Sequence, residues 1–242
     1  MPTLVPGQIV EEKYKVVRAL AAGGFGAVYE VFREGLKQRG AMKVLTLNPS
    51  PEMVQRIHNE ARVLGALRHP NIPQIYDMGS FPDGAPWLVM EFLEGESLEA
   101  RLIRAHKSGQ RGLPFADVTE IGEDITAAMN AAHERGVIHR DMKPSNVVLV
   151  ADAKAACGLR AVVLDFGIAR MAGDGLTQTG ALLGTPAYMA PEQAVDARQA
   201  DALSDVYAVG MVLYQSLCGR LPFDIDPARG PYGVLLAKAM PP

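Results

Sequence analysis

The sequence predicts an α+β chain in two parts, a small five-stranded antiparallel sheet with one helix followed by a mainly helical half. Three observations carry that prediction. Residues 9–47 alternate apolar and polar side chains in short runs separated by glycine-containing turns. Apolar residues then recur at helical spacing, at Met53, Ile57, Ala61, Leu64 and Leu67. The composition shifts near residues 93–96, after which helical periodicity dominates. The expected division is an N-terminal extension over 1–8, a first lobe over about 9–92, a hinge at about 91–96 and a second lobe over about 97–242.

Taken in order, Tyr14-Lys15-Val16-Val17, Val28-Tyr29-Glu30-Val31-Phe32 and Ala41-Met42-Lys43-Val44-Leu45 read as three strands. Gly23-Gly24, Gly35 and Gly40 mark the turns between them. Pro49-Ser50-Pro51 interrupts the pattern before the helix, and His69-Pro70-Asn71 closes it, because proline cannot continue a helix. Strands around Ile75-Tyr76 and Trp87-Leu88-Val89-Met90, joined by Pro82-Asp83-Gly84, complete the first lobe. Helical signals then run from Ser97 to about His106 and from Phe115 to Arg135, with a polar loop over 107–112 between them. Val147-Val148-Leu149-Val150 reads as a short buried strand, and Ala161 to Leu164 as another. A long irregular stretch leads to a helix near Asp205 to Cys218.

Bulk properties narrow the function. The chain has 242 residues, 48% hydrophobic and 21% charged, as expected of a globular protein. Its net charge of −3 gives no basic excess for nucleic acid, so none is expected as a partner. No run reaches the ~18 apolar residues that span a bilayer. The first eight residues lack the basic and apolar regions of a signal peptide. The only cysteines, Cys157 and Cys218, are far apart and fit neither a disulfide scaffold nor a four-ligand metal site. A reducing, cytoplasmic location is the expectation.

The chemistry concentrates in His139-Arg140-Asp141-Met142-Lys143-Pro144-Ser145-Asn146. A carboxylate and an amide on one tight loop can do two jobs: Asp141 accepts a hydrogen bond from an attacking hydroxyl, and Asn146 offers an oxygen to a hard metal ion. Upstream, Leu20-Ala21-Ala22-Gly23-Gly24-Phe25-Gly26-Ala27-Val28 is glycine-rich, so backbone N–H groups can approach phosphate oxygens closely. Lys43 lies in an apolar strand where a cation needs a counter-charge, and Glu60 on the following helix is the candidate. Asp165-Phe166-Gly167 follows Val162-Val163-Leu164, which sets the Asp165 carboxylate just past a strand end.

Together and in this order the motifs resemble the eukaryotic-type (Hanks-type) serine/threonine protein kinases over roughly residues 9–242. His139 to Asn146 resembles H-R-D-x-x-x-x-N, Asp165-Phe166-Gly167 resembles D-F-G, and Ala190-Pro191-Glu192 resembles A-P-E. Gly184-Thr185-Pro186-Ala187-Tyr188-Met189-Ala190-Pro191-Glu192-Gln193 looks most like the bacterial branch. The resemblance implies a bilobal protein-kinase fold and ATP with Mg2+ as cofactors. It implies Asp141 as catalytic base, Lys143 on the γ-phosphate, Asn146 and Asp165 on magnesium, and Lys43 with Glu60 on the α- and β-phosphates. Leu20, Ala21, Gly23, Gly26 and Val28 would cover the nucleotide. Met90 would precede the hinge as gatekeeper, Glu91 and Leu93 would present backbone to the adenine edge, and Val28, Ala41 and Val148 would sandwich its faces. His139 is expected in the core against Phe166, and Asp205 beneath the catalytic loop, bonded to its backbone. Thr177 and Thr179 are candidate phosphosites whose added charge would pair with Arg140. Thr185 and Glu192 are expected structural residues of the same segment.

Two departures feed an alternative, a pseudokinase-like or truncated nucleotide-binding module without turnover. Ala21 stands where the pattern has its first glycine, which predicts a stiffer loop and weaker nucleotide binding. Little sequence follows Gly219-Arg220-Leu221-Pro222-Phe223, so the second lobe is expected to lack its last helices. Glu192 is then expected to lack the arginine that the resemblance implies as its partner, and the chain to be marginally stable. Protein substrates carrying Ser or Thr are the expected partners, with self-association for autophosphorylation.

Overall fold

The structure is a computed structural model that describes residues 3–23, 26–45, 51–166, 187–195 and 199–223. The chain forms two compact units, the first made of residues 1–69 and 73–93, the second of residues 70–72 and 94–242.

In the first unit β1 (Ile9–Val10), β2 (Tyr14–Gly23), β3 (Gly26–Arg33), β4 (Gln38–Leu45), β5 (Ile75–Ser80) and β6 (Pro86–Glu91) form one antiparallel sheet. Their order is β1-β2-β3-β4-β6-β5. Five of these strands are those expected; β1 is the addition. Two residues are too few for alternation to register, and the turn after them uses no glycine. Glu11 and Glu12 instead adopt positive φ values of 51° and 53°. Strand alternation gives the sheet two unlike faces. One carries the apolar cluster of Tyr14, Val16, Tyr29, Val31, Met42 and Val44. The other carries Val28 opposite Lys43 and Ala41 opposite Met90. The single helix of this unit, α1 (Pro51–Ala66), buries Ile57, Ala61 and Leu64 at the expected spacing and packs on β5.

The second unit is mainly helical: α2 (Leu98–Lys107), α3 (Phe115–His133), a short α4 (Pro191–Val195) and α5 (Ala202–Cys218). It also holds a three-stranded sheet of β7 (Gly95–Ser97), β8 (Val147–Ala151) and β9 (Leu159–Val163). β7 is not visible in the sequence, because three residues rich in glycine and glutamate carry no strand pattern. It forms because its backbone docks on β8, Gly95 facing Val150 so closely that a Cβ at 95 would strike the Leu149 carbonyl. The Ser97 hydroxyl then accepts from Ala100 N–H at 3.1 Å and caps α2.

α3 is the spine of this unit, packing on β9 and α5 through Ile121, Ile125, Ala128, Met129 and Ala132, all buried. Its outer carboxylates reach the sheet, Asp124 Oδ2 accepting from Ala161 N–H at 2.7 Å. α5 starts with a capping box: Asp201 Oδ1 accepts from Leu203 and Ser204 N–H, and Ser204 Oγ accepts from Asp201 N–H. It ends at Gly219 (φ 69°), where a Cβ would collide with the Arg111 carbonyl. Among the described residues no helix is long and apolar enough to cross a membrane.

Candidate active site

The loop from His139 to Asn146 sits between the end of α3 and the start of β8, irregular as far as Lys143 and closed by a single 3-10 turn over Pro144–Asn146. Arg140 has φ 65° and Asp165 φ 60°, left-handed values that non-glycine residues adopt only when their surroundings impose them. Asp205, 1% exposed on the first turn of α5, accepts from His139 N–H through Oδ2 and from Arg140 N–H through Oδ1, both at 2.8 Å. His133 Nε2 donates to the same Oδ2 at 2.8 Å, so one carboxylate ties α3, α5 and the loop together. Bonds from donors of this kind to a buried carboxylate are among the stronger ones in proteins.

His139 is fully buried, its ring 4.9 Å from Phe166. Its Nε2 donates to the Leu164 carbonyl at 2.8 Å, and its Nδ1 accepts from Asp141 N–H at 3.3 Å. A carbonyl can only accept and an amide N–H only donate, so the contacts select the Nε2–H tautomer. The ring thereby joins the backbone before Asp165 to that of Asp141.

Within the loop, Lys143 Nζ donates to Asp141 Oδ2 at 2.7 Å, and Asn146 Nδ2 donates to the Asp141 carbonyl at 2.8 Å. Asn146 thus spends its amide nitrogen on the loop and turns its amide oxygen away from that bond. β8 and β9 pair Val147 with Val163, and Leu164 N–H donates to the Asn146 carbonyl at 2.8 Å. Asn146 and Asp165 therefore stand together at one end of this ladder, with Val148 opposite Val162 inside it. An amide oxygen and a carboxylate suit Mg2+, which takes one or two protein ligands and completes its shell with phosphate and water. No cluster of three or more His, Cys, Asp or Glu side chains able to hold a metal occurs among the described residues.

Gln193, 5% exposed in α4, closes the motif read from the sequence but carried no role there. Its Oε1 accepts from Ala190 N–H at 3.1 Å and its Nε2 donates to the Arg140 carbonyl at 3.3 Å. It bridges the segment before α4 to the strained residue next to Asp141. The only hint was a polar residue directly after Pro191-Glu192. Tyr188, beside it, donates to Gln215 Oε1 at 2.6 Å, and burial pushes its phenol up to about 12. Glu192 is hydrogen-bonded by a residue the sequence did not point to, Ser204 Oγ donating to its Oε1 at 2.6 Å. Thr177, Thr179 and Thr185 lie outside the described residues.

The remaining candidates are in the first unit. Lys43 is buried on β4, and Glu60 lies on α1. Leu20, Ala21 and Gly23 are exposed on β2, Ala21 opposite Val28 and Gly23 opposite Gly26. Gly26 has φ 153°, and a Cβ there would collide with the Val44 carbonyl, so this hairpin end requires glycine. Glu91 N–H donates to the Gln74 carbonyl at 2.8 Å, and Leu93 is the last residue of the unit.

The protein kinase domain family matches residues 14–232. The chain belongs to the protein kinase family. It is 43% identical over 217 residues to the serine/threonine-protein kinase Pkn1 of Myxococcus xanthus, covering 87% of this chain and 29% of that protein. It is 40% identical over 214 residues to the serine/threonine-protein kinase PknJ of Mycobacterium tuberculosis, covering 87% of this chain and 34% of that one. A crystal structure of the PknI kinase domain of Mycobacterium tuberculosis matches with a TM-score of 0.71 at 28% identity, over 92% of this chain and 80% of that domain. These relatives place the kinase within the eukaryotic-type serine/threonine branch found in bacteria, as the wording of its motifs implies. Pkn1 and PknJ are longer proteins, of which the chain spans about a third.

Proposed function

We propose that this chain transfers the γ-phosphoryl group of ATP to Ser or Thr hydroxyls of protein substrates. The observation that carries the reading is the loop bearing Asp141: a carboxylate, a lysine and an amide held on strained backbone by a buried aspartate. Backbone strain of this kind concentrates at functional sites. The substrate oxygen attacks the γ-phosphorus, the bond from that phosphorus to the β-bridging oxygen breaks, and ADP leaves. Asp141 orients the hydroxyl and takes its proton. Lys143, which rests on Asp141 at 2.7 Å, shifts to the γ-phosphate as charge moves there. Lys43, set by Glu60, holds the α- and β-phosphates, under the turn of Gly23 and Gly26. Asn146 and Asp165 would hold Mg2+, which when bound would supply charge neutralisation for the phosphoryl group in transit. The Glu91 and Leu93 backbone meets the adenine edge, with Val28, Ala41, Met90 and Val148 around the ring. Phosphorylation at Thr177 or Thr179, paired with Arg140, activates the enzyme, and self-association supplies it.

Asp141→Asn tests the assignment. The expected loss of transfer is on the order of 10²- to 10⁴-fold, with Mg-ATP binding retained. Incubation with radiolabelled ATP and a generic protein substrate, then phospho-amino-acid analysis, should yield phosphoserine or phosphothreonine. Undiminished incorporation by Asp141→Asn would sink the reading. Stabilisation of the wild type by Mg-ATP without any transfer would favour a nucleotide-binding module instead.

A further inference from the structure

The sheet of the first unit buries charge where strands usually bury apolar groups. Glu30, in the middle of β3, is 6% exposed. Both neighbouring strands grip its carboxylate. From β2, Arg18 Nε donates to Oε2 at 2.8 Å. From β4, Arg39 donates to Oε1 through Nε at 3.0 Å and Nη2 at 2.9 Å. The Arg39 guanidinium also lies over the Phe92 ring, 4.1 Å from its centroid.

Register decides which face this triad occupies. Glu30 pairs with Arg18 on one side and with Ala41 on the other, and Ala41 pairs with Met90. Val28 and Lys43 pair one row further along, and Arg39 lies one row back, opposite Phe32. Directly paired residues of antiparallel strands share a face. The triad therefore shares the face of Val28, Ala41, Lys43 and Met90, away from the apolar cluster of Tyr29, Val31 and Met42.

Stability is a poor reason to keep such a triad. Burying a carboxylate is costly, and apolar residues of similar volume often serve as well or better. A guanidinium can do what they cannot, holding a carboxylate along its edge and a ring on its face at once. Phe92 is the residue between Glu91 and Leu93. Glu91 is fixed by Gln74, whose carbonyl accepts from Glu91 N–H at 2.8 Å and whose N–H donates to Glu91 Oε2 at 3.3 Å. Arg39 fixes the next residue along.

We propose that Arg39, set by the buried Glu30 carboxylate, is a positioning residue that holds the Glu91–Leu93 backbone through Phe92 for recognition of the purine of ATP. The proposal rests on the kinase reading above, so its test uses binding as well as turnover. Equilibrium binding of Mg-ATP to the chain should weaken about three- to fivefold in Arg39→Ala and in Phe92→Leu alike. The double variant should bind no worse than either single one, since the two residues make one contact. KM for ATP should rise in parallel while kcat at saturating ATP changes by less than about twofold. Arg39→Lys, which keeps the charge but loses the planar stack, should recover part of the loss.

Unchanged affinity in Arg39→Ala, with or without a lower Tm, would mark a purely structural triad and overturn the proposal. Additive losses in the double variant would overturn it as well. A wild-type chain that binds no nucleotide removes the kinase reading and this inference together. One that binds normally while Arg39→Ala does too removes this inference alone.

Discussion

In the first unit charged groups ride on regular strands. Lys43, Glu30 and Arg39 reach one face by two-residue alternation, and their neighbours arrive by register with the next strand. In the second unit Asp141, Lys143 and Asn146 stand on a loop whose only regular part is one 3-10 turn, Pro144–Asn146. Arg140 and Asp165 are held at φ 65° and 60° by groups distant in sequence: Asp205, Gln193 and the His139–Leu164 bond. A strand places a side chain through local geometry and shares the cost with the whole ladder. A strained loop depends on a few anchors, so its sensitivity to substitution should be concentrated there.

The largest effect expected from that contrast is at Asp205. Asp205→Ala leaves the His139 and Arg140 N–H groups without their acceptor in the core, and removes the partner of His133. The expected loss is about 3–5 kcal/mol of folding stability, read from urea or thermal unfolding, with phosphoryl transfer abolished. Asp205→Asn keeps the shape but places an NH2 group against donors at one oxygen position, and should lie between the wild type and Asp205→Ala. A wild-type melt in Asp205→Ala would break the comparison, because the loop would then hold itself.

How much the sequence disclosed follows the same division. Strands with several alternating residues were legible to within a few residues, as were α1, α3 and α5, because an apolar stripe is a repeated signal. β1 and β7 were not legible, since two or three residues cannot display a period and tertiary docking forms them. The candidate site residues were legible as types in order: an Asp, a Lys and an Asn in one loop, and an Asp after a strand. Their anchors were less so. Gln193 and the Arg18–Glu30–Arg39 triad have no local signature beyond a polar residue in an odd place. Ser204 as the partner of Glu192 is a pairing across twelve residues that only the approach of α4 to α5 produces. Composition cannot report such distances.

Gln193 sharpens the comparison at an intermediate scale. Its side chain makes two hydrogen bonds among the described residues, one to the Arg140 carbonyl and one from Ala190 N–H, and it is nearly fully buried. Gln193→Leu keeps the volume while orphaning both groups, at about 1–2 kcal/mol. Since one of those groups belongs to the residue before Asp141, transfer at saturating ATP should fall about tenfold, more than KM for ATP changes. Gln193→Glu retains the acceptor for Ala190 but loses the donor to Arg140, so it separates the two bonds. A loss of stability with no change in kcat would mean that Arg140 keeps its geometry without this bridge, leaving Asp205 and His139 as the sufficient anchors.

The smallest effect is expected in the first unit, where the ladder shares the load. Burial pushes the Glu30 carboxyl upward, but hydrogen bonds from Arg39 and Arg18, with the charges behind them, hold it below the usual carboxylate range. A carboxyl depressed in the folded state contributes stability that is present above its unfolded pKa and lost as pH falls through its folded pKa. The wild type should therefore exceed Glu30→Gln in stability at neutral pH, and the gap should close below the ordinary glutamate pKa of about 4.3. About 1 kcal/mol is expected, because the Arg18 and Arg39 side chains are 60% and 43% exposed and water takes over their solvation when the carboxylate is gone. Added salt should shrink the gap at neutral pH as well. Thermal melts of both proteins across the acid range decide the matter. A gap that survives below the folded pKa would show that Glu30 acts through shape and not charge, and the polar row beside Ala41 would then be packing like the face behind it.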